Sequence, residues 1–273
     1  MNNGHVDAFY SRFTTPKQSS LVLGTSRAAQ GIVPEVLNEE LGRDDIFNYS
    51  FTVAHSSYGP VYLESIKKKI VKNSNDCVYI VTVDPWSISA DKEDQNNILK
   101  FIENGKCVET IWFVNSKPNV QYLLFNYNES YINLFNKNKK MFLHDDGWLE
   151  VNVKKMDSVR INERVKFYKE EIMPNNTFSK VRFEYLLKTI QFLKKHGKVY
   201  LIRLPIHPKL MEVEMQYMAN FNGYINEAIN LSNDYFDMTK FNNEFDYTDG
   251  NHLYKESSKK VSKLIVNRIN NNK

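Results

Sequence analysis

Ser26, Asp249 and His252 are the residues of this chain whose types and spacing fit nucleophilic catalysis. Ser26 stands in the segment SLVLGTSRA, while Asp249 and His252 stand three positions apart in the segment YTDGNHLY. A serine hydroxyl is a weak nucleophile until an imidazole accepts its proton, and that imidazole needs a carboxylate to orient it and stabilise its charged form. Asp-x-x-His supplies both groups within one turn, so the pattern favours a serine nucleophile with its own base.

Each segment also has an ordinary structural interpretation. A serine after a strand often caps the following helix, and Asp-Gly-Asn-His is typical of a turn that carries a surface histidine. Neither segment decides the matter alone. Together they mean more, because a parallel sheet would bring both loops to the same edge.

The elements that must position these residues alternate between strands and helices. Apolar segments predict strands at 20–24, 46–50 and 77–83, and amphipathic patterns predict helices at 34–41 and 58–72. This order requires right-handed crossovers and a parallel sheet. Ligands bind beyond the carboxyl ends of such strands, which is where the loop of Ser26 begins.

The alternation is interrupted between about residues 91 and 178. Helical stretches at 119–135 and 161–172 surround a predicted hairpin, MFLHDDGWLEVNV, in which Asp146-Gly147 is a strong turn signal. We interpret this segment as an insertion that caps the sheet of one three-layer α/β/α domain, residues 1–273. The alternation then returns, with elements expected at 178–196 (helix), 198–204 (strand), 208–231 (largely helical), 234–238 (strand) and 256–269 (helix).

Composition and charge argue against several classes of protein. Of the residues, 42% are apolar, enough for a sizeable core, and the formal charge is only +4. The basic residues are scattered among acids, so we expect no nucleic-acid partner. Cys77 and Cys107 belong to no C-x-x-C pair or histidine cluster, so we expect no metal and no other cofactor, with Cys77 a buried thiol on a strand.

Membrane and secretion signals are missing from the sequence itself. No run approaches the ~20 apolar residues that span a bilayer. Residues 1–20 also lack the apolar middle of a signal peptide, so the chain reads as soluble. A membrane anchor or signal segment that preceded the first strand is an open alternative.

The combination of the two polar segments resembles the SGNH (GDSL-type) hydrolases and O-acyltransferases. Gly24-Thr25-Ser26 after the first strand and Asp249 to His252 before the last helix carry the resemblance, and residues 48–59 and CVYIVTVDPW extend it in outline. The G-[ST]-S-R pattern also resembles a branch of uncharacterised bacterial envelope proteins that have an N-terminal membrane anchor. The resemblance implies a flavodoxin-like sheet, Ser26 as nucleophile, His252 as base and Asp249 as its orienting acid. It also implies an extracytoplasmic location, with the cytoplasm as the alternative.

The sequence departs from the family pattern in its oxyanion groups. Thr25 replaces the usual aspartate, and no glycine matches the usual oxyanion glycine, so the backbone N–H groups of Ser26 and Ala54 are the expected donors. The block that usually reads G-x-N-D is Val-Asp-Pro-Trp at 83–86 and lacks the asparagine. Loss of one such donor typically lowers the rate by about a hundred- to a thousandfold.

Four further residues are candidates for substrate contact: Arg27, His55, Trp86 and Asn251. Arg27 and Asn251 are also candidates to replace the missing oxyanion donor. Arg27 could instead form a salt bridge within its loop, and His55 could be a solvated loop residue. Trp86 offers a face for stacking on a sugar but equally suits the core.

Two other residues need partners in the folded chain. Arg203 lies in the otherwise apolar strand KVYLIRL and needs a partner for its charge, so an ion pair with an acid such as Asp84 is favoured over substrate binding. Trp148, in the predicted hairpin, is expected to pack the cap onto the sheet, although it could also overhang the site.

These features support two hypotheses. The first is a serine esterase or O-acyltransferase that acts on acyl esters, most simply acetyl esters, of carbohydrate or another small ester through an acyl-Ser26 intermediate. The second is a catalytically silent protein of the same fold that binds glycans or serves in an assembly. The intact set of Ser26, Asp249 and His252 favours the first, and the missing asparagine block favours the second.

Overall fold

Five strands form one parallel sheet in the structure, a computed structural model that describes residues 7–71, 76–127, 140–154 and 158–271. Parallel strands buried on both faces read as continuous apolar runs, and all six residues of the third strand are buried. The strands among the described residues are β1 (Ser20–Leu23), β2 (Ile46–Asn48), β3 (Cys77–Thr82), β4 (Ser89–Asp91), β5 (Met141–Leu143), β6 (Leu149–Val151), β7 (Asn176–Phe178), β8 (Gly197–Arg203) and β9 (Asp234–Asp237).

The sheet has the strand order β2-β1-β3-β8-β9. In β1, Leu21 is in register with Phe47 of β2 on one side and with Tyr79 of β3 on the other. This is the doubly wound order of flavodoxin-like sheets, in which the direction of winding reverses between the first and third strands. The loops after β1 and β3 diverge there and leave a crevice at the carboxyl edge.

Helices cover both faces of this sheet and complete a three-layer α/β/α sandwich, which confirms the predicted fold class. The α-helices among the described residues are α1 (Tyr10–Thr14), α2 (Ser26–Gly31), α3 (Pro34–Leu41), α4 (Val53–Ser56), α5 (Pro60–Lys69), α6 (Cys107–Thr110), α7 (Val120–Phe125), α8 (Ser158–Phe167), α9 (Met173–Asn175), α10 (Lys180–Leu193), α11 (Pro208–Tyr217), α12 (Phe221–Tyr224), α13 (Asn226–Leu231) and α14 (Lys255–Asn271). A π-helical turn, Tyr168–Ile172, continues α8.

Two apolar cores lie on opposite faces of the sheet because alternate strand residues point to opposite sides. On one face, Leu21 and Val81 pack with residues of α5 and α10. On the other face, Val22 and Ile80 pack with residues of α2, α3 and α14. The helix α14 packs against α2, so the loop that precedes α14 lies next to the start of α2.

The ends of the predicted insertion are joined to each other. Strand β4 pairs antiparallel with β7, with Ala90 opposite Thr177. The hairpin is confirmed as β5 and β6, with Gly147 at φ 86° in its turn. A side chain at Gly147 would collide with the carbonyl oxygen of Asn48, so the hairpin packs against the end of β2.

The predicted start of the helix after the insertion was wrong. Phe178 belongs to β7, and the helix expected from 178 begins only at Lys180, because Ser179 caps it through a hydrogen bond to Arg182 N. The helix expected at 119–135 is described only as α7, and residues 128–135 lie outside the described residues. Trp148 is buried against Val33 and Val36, so it packs the hairpin onto the domain.

The thiols of Cys77 and Cys107 are both buried, as expected for Cys77. Among the described residues, no group of histidine, cysteine and carboxylate side chains has the geometry of a metal site. Within the same residues, no helix has the length and apolarity needed to cross a bilayer.

Candidate active site

The loop between β1 and α2 is shaped by close backbone contacts that present Ser26 at the edge of the sheet. Gly24 has φ 149°, and a side chain there would collide with Thr82 at the end of β3, so only glycine fits. Its N–H donates to the Tyr62 hydroxyl at 3.1 Å, and its carbonyl accepts from Ser56 Oγ at 2.7 Å. These bonds fix the turn, and Ser26 follows as the first residue of α2.

A hydrogen-bonded chain joins Ser26 to the segment before α14. His252 Nε2 lies 2.8 Å from Ser26 Oγ, and His252 Nδ1 lies 2.9 Å from both carboxylate oxygens of Asp249. Two residues separated by 226 positions in sequence thus meet at one edge. The fold brings together the serine, imidazole and carboxylate that the sequence singled out.

The turn that carries His252 is held by the same carboxylate. Asp249 Oδ1 accepts the backbone N–H groups of Asn251 at 3.1 Å and His252 at 2.9 Å. Gly250 adopts φ 80°, which suits glycine, and Thr248 N donates to the carbonyl oxygen of His252 at 2.9 Å. Asp249 therefore orients the imidazole both directly and through the backbone.

The charge of Asp249 is stabilised strongly. Burial by itself would raise its pKa, but the charge and hydrogen bonds of His252 and the charge of Arg164 outweigh this effect and hold the pKa well below the usual range. Arg164, on α8 of the insertion, lies 3.2 Å from Asp249 Oδ2. Asp249 is thus ionised and available to stabilise a protonated imidazole.

Ser26 opens into a cleft of about 480 Å³ at the carboxyl edge of the sheet. One wall comes from the sheet loops and includes Ser26, Arg27, Ala54 and Asn251. The other wall comes mainly from the insertion, with the following residues: Asp91, Asp94, Lys100, Phe101, Ile102, Tyr168, Ile172 and Asn176. The serine is therefore accessible to a small organic ligand.

Two backbone segments that line the cleft begin helices. Ser26 is the first residue of α2, and Ala54 is the second residue of α4. The N–H groups in the first turn of a helix have no partner within that helix. Ser26 and Ala54 both line the cleft, and the role of their amides as oxyanion donors stays a prediction.

No protein-family model matches this chain, and no curated protein matches its sequence.

A network of buried charges lies beneath the cleft and includes Arg27, which is 6% exposed. Arg27 Nη1 lies 2.7 Å from Glu214 Oε1 and 4.0 Å from Asp84 Oδ2. Burial alone would lower the pKa of Arg27, but Glu214 and Asp84 raise it above its ordinary value. Arg27 forms ion pairs, which is the structural alternative that its sequence position left open; a contact with substrate stays a prediction.

Arg203 forms the predicted ion pair with an acid, but the acid is Glu214 and not the suggested Asp84. Arg203 Nη2 lies 3.1 Å from Glu214 Oε2, and Asp237 lies 3.9 Å from Nη1. Asp84 instead caps the helical turn that follows β3, accepting the N–H groups of Trp86 at 2.9 Å and Ser87 at 3.0 Å. Both cap bonds use Asp84 Oδ1, and Asp84 Oδ2 lies 4.0 Å from Arg27, so this carboxylate already has partners of its own.

The structure places Trp86 and His55 differently. Trp86 lines the cleft, but its Nε1 donates a hydrogen bond to Glu214 Oε1 at 3.0 Å. Its ring also stacks on the ring of Tyr217, with 4.6 Å between the ring centres, so much of the Trp86 ring is already in contact with other residues. His55 Nδ1 lies 2.7 Å from Thr52 Oγ1, and its ring packs against Phe9. Burial and the charge of Lys106 lower the pKa of His55 to about 4, so it is neutral near pH 7. Substrate binding by either residue stays a prediction.

Sequence reasoning missed Glu214, Arg164 and Tyr168. The sequence does contain a signal for Glu214, because this acid follows Leu210 and Val213 on the buried face of α11. A charge on an apolar helix face must find partners, and Glu214 is 2% exposed. Arg164 lies on a polar helix and gave no such signal.

Proposed function

We propose that this protein is a serine esterase or O-acyltransferase of the SGNH type, with Ser26 as nucleophile, His252 as base and Asp249 as orienting acid. The observation that carries the proposal is the hydrogen-bonded chain from Ser26 Oγ through His252 to Asp249, with distances of 2.8 and 2.9 Å. The same chain opens into a cleft that could hold a small ester.

The reaction begins when Ser26 Oγ attacks the ester carbonyl while His252 Nε2 takes the hydroxyl proton. The C=O π electrons move to oxygen, and the resulting oxyanion is stabilised by backbone N–H groups of Ser26 and Ala54. When the oxyanion collapses, the bond to the leaving alcohol breaks, and His252 returns the proton to that alcohol. This leaves an acyl group on Ser26.

The second half repeats these steps with a new acceptor. Water gives hydrolysis, and a carbohydrate hydroxyl gives transfer of the acyl group. In both cases, His252 removes the acceptor's proton, the acceptor oxygen bonds to the acyl carbon, and the proton goes to Ser26 Oγ as the bond between Ser26 Oγ and the acyl carbon breaks. The esterase and the transferase therefore use the same groups and differ in which acceptor reaches the cleft.

The lining of the cleft favours a neutral acyl group and a polar acceptor. Phe101, Ile102 and Ile172 provide an apolar wall. Asp91, Asp94 and Lys100 supply hydrogen-bonding groups on the insertion side, which suits a carbohydrate better than a long lipid chain. An acetyl ester of a sugar is the substrate class that fits this combination.

The position of Asp84 favours a second candidate, a catalytically silent glycan-binding component. Its carboxylate is used to cap the turn at Trp86 and Ser87, and the segment directly after β3, VDPWSI, contains no asparagine that could bind an oxyanion. The two candidates differ in whether Ser26 reacts.

A fluorophosphonate probe, which labels activated serines, tests the proposal. We expect covalent labelling of the natural chain and none of Ser26→Ala. Ser57→Ala is the matched control, because Ser57 lines the same cleft but donates its hydroxyl to Val53 O at 2.7 Å, and it should leave labelling intact. Equal labelling of the natural chain and Ser26→Ala, or none of either, would contradict an active serine enzyme.

A further inference from the structure

The amide of Asn251 has one orientation that its surroundings permit. Its Oδ1 accepts two hydrogen bonds from Arg27, from Nε at 3.0 Å and from Nη2 at 2.6 Å. A guanidinium only donates, so the atom that receives both bonds must be the carbonyl oxygen of the amide. The Nδ2 group of Asn251 consequently points away from Arg27.

The Nδ2 group lies next to the reacting atoms. It is 3.4 Å from His252 Nε2, and His252 Nε2 is 2.8 Å from Ser26 Oγ. Asn251 is 8% exposed and lines the same cleft as Ser26 and Ala54. Because an amide nitrogen carries two hydrogens, Nδ2 has a donor to offer to a substrate oxygen bound beside Ser26.

Arg27 is itself held in place. Glu214 Oε1 lies 2.7 Å from Arg27 Nη1 and also accepts Trp86 Nε1 at 3.0 Å, while Glu214 Oε2 accepts Arg203 Nη2 at 3.1 Å. The guanidinium of Arg27 is already fixed by the buried carboxylate of Glu214, so it loses little conformational entropy when it binds the side-chain amide of Asn251. The donor is therefore set before the reaction, which is the condition for effective stabilisation of developing charge.

We propose that Asn251 is a catalytic residue that donates from Nδ2 to the oxyanion on the substrate carbonyl, with Arg27 as the positioning residue that fixes its amide. This inference rests on the proposed acyl-transfer function. It assigns a side-chain donor at a site where the segment after β3 provides none, since Asp84 is occupied as a cap.

Steady-state hydrolysis of a p-nitrophenyl acetate probe by the natural chain and Asn251→Ala tests the assignment. We expect kcat to fall by about a hundred- to a thousandfold while KM changes by less than about threefold, because the donor acts in the transition state. The pH at half-maximal kcat/KM should not move. Asn222→Ala, at an exposed position on α12, is the control and should keep the natural kcat.

The affinity of a boronic acid inhibitor is a second measurement, and substitution of a purely structural residue would not change it. Boronates bond to the serine and form a tetrahedral adduct like the intermediate, so Asn251→Ala should weaken inhibition in proportion to its loss of kcat/KM. Thermal unfolding of the same variants checks that the fold is kept. A loss of kcat below about fivefold, or a shifted pH profile with unchanged boronate affinity, would overturn the assignment.

The role of Arg27 is tested by a double-mutant cycle. Arg27→Lys keeps a charge near Glu214 but cannot make both bonds to Asn251 Oδ1, so kcat should fall by about tenfold with KM unchanged. Combined with Asn251→Ala, it should add almost nothing, because a positioning residue has no effect once its target is gone. Losses that multiply would overturn the positioning role.

Failure of the inference is distinguishable from failure of the proposed function. If the natural chain hydrolyses the ester and reacts with fluorophosphonate while Asn251→Ala does so equally fast, only the role of Asn251 is wrong. If neither protein reacts and Ser26→Ala is the same as both, the acyl-transfer function is wrong and the inference falls with it.

Discussion

The two walls of the cleft are built in different ways. The wall from the sheet loops carries Ser26, Asn251 and Arg27, which are joined by short hydrogen bonds to one another or to buried partners. The wall from the insertion carries apolar side chains such as Phe101 and Ile102 together with polar ones such as Asp94 and Lys100. The groups suited to bond chemistry thus come from the sheet, and the groups suited to substrate choice come from the insertion.

The insertion is nevertheless tied firmly to the sheet domain at a few points. Arg182 of α10 forms two hydrogen bonds with Glu103, at 3.0 and 2.9 Å, and both side chains are buried. The Arg182 guanidinium also lies 3.9 Å from the centre of the Phe101 ring. On the outer side, Arg164 reaches Asp249. The difference between the walls can therefore be tested by substituting residues of each wall in turn.

His252→Ala breaks the sheet wall and should have the largest effect. Without an acceptor for the Ser26 proton, kcat for ester hydrolysis should fall by about ten-thousandfold or more, with thermal stability nearly unchanged. His196→Ala is the matched control, because His196 directly precedes the amino end of β8 and Ser26 lies at the carboxyl edge of the sheet. A loss of less than about tenfold in His252→Ala would mean that the serine works without this imidazole.

Glu103→Ala breaks the anchor of the insertion wall. It leaves the Arg182 charge buried without this carboxylate, so the free energy of unfolding should drop by about 3–5 kcal/mol. Urea denaturation measures this change, and Glu93→Ala, an exposed acid of the same segment, should stay within about 0.5 kcal/mol of the natural chain. Equal stability of the two variants would show that the pair does not hold the insertion.

Ile102→Ala alters substrate contact without touching the sheet wall. Removing the apolar side chain from the cleft should raise KM by about three- to tenfold, worth about 1 kcal/mol, and leave kcat unchanged. Leu99→Ala is the control, since Leu99 is 80% exposed and does not line the cleft. A fall in kcat at constant KM would place Ile102 in the bond-making step instead.

Arg164→Gln should have the smallest effect, and it depends on pH. Burial raises the pKa of Asp249, but His252 and Arg164 depress it below the unfolded value near 3.9, so this carboxylate stabilises the fold above that value and loses its contribution as pH falls. Arg164 is partly exposed, so its loss should cost only about 0.5 kcal/mol at pH 7.

Urea denaturation at pH 7 and near pH 3 measures this dependence. The difference between Arg164→Gln and the natural chain should shrink at the lower pH, because Asp249 begins to bind protons in the unfolded chain there. Lys166→Gln removes the same charge from an exposed position of α8 and serves as the control. A difference that is the same at both pH values would mean that the ionisation of Asp249 is not involved.

Much of the framework follows from local sequence. The apolar runs at β1 and β3 predict buried parallel strands, Asp146-Gly147 predicts the hairpin turn, and the type and spacing of Asp249 and His252 point to a base with its carboxylate. These signals are local because side-chain periodicity and turn geometry depend on neighbours a few residues apart. Ser26 could be placed at a strand end for the same reason.

The tertiary structure alone decided which distant charges meet. The sequence predicts that Arg203 pairs with an acid such as Asp84, and in the structure that acid is Glu214, while Asp84 caps its own turn. The bonds from Arg27 to Asn251 span 224 positions, and the pairing depends on how α2 and the turn before α14 pack. Ion pairs and hydrogen bonds act over a few ångströms in space with no fixed separation in sequence, so the chain must fold before its partners are determined.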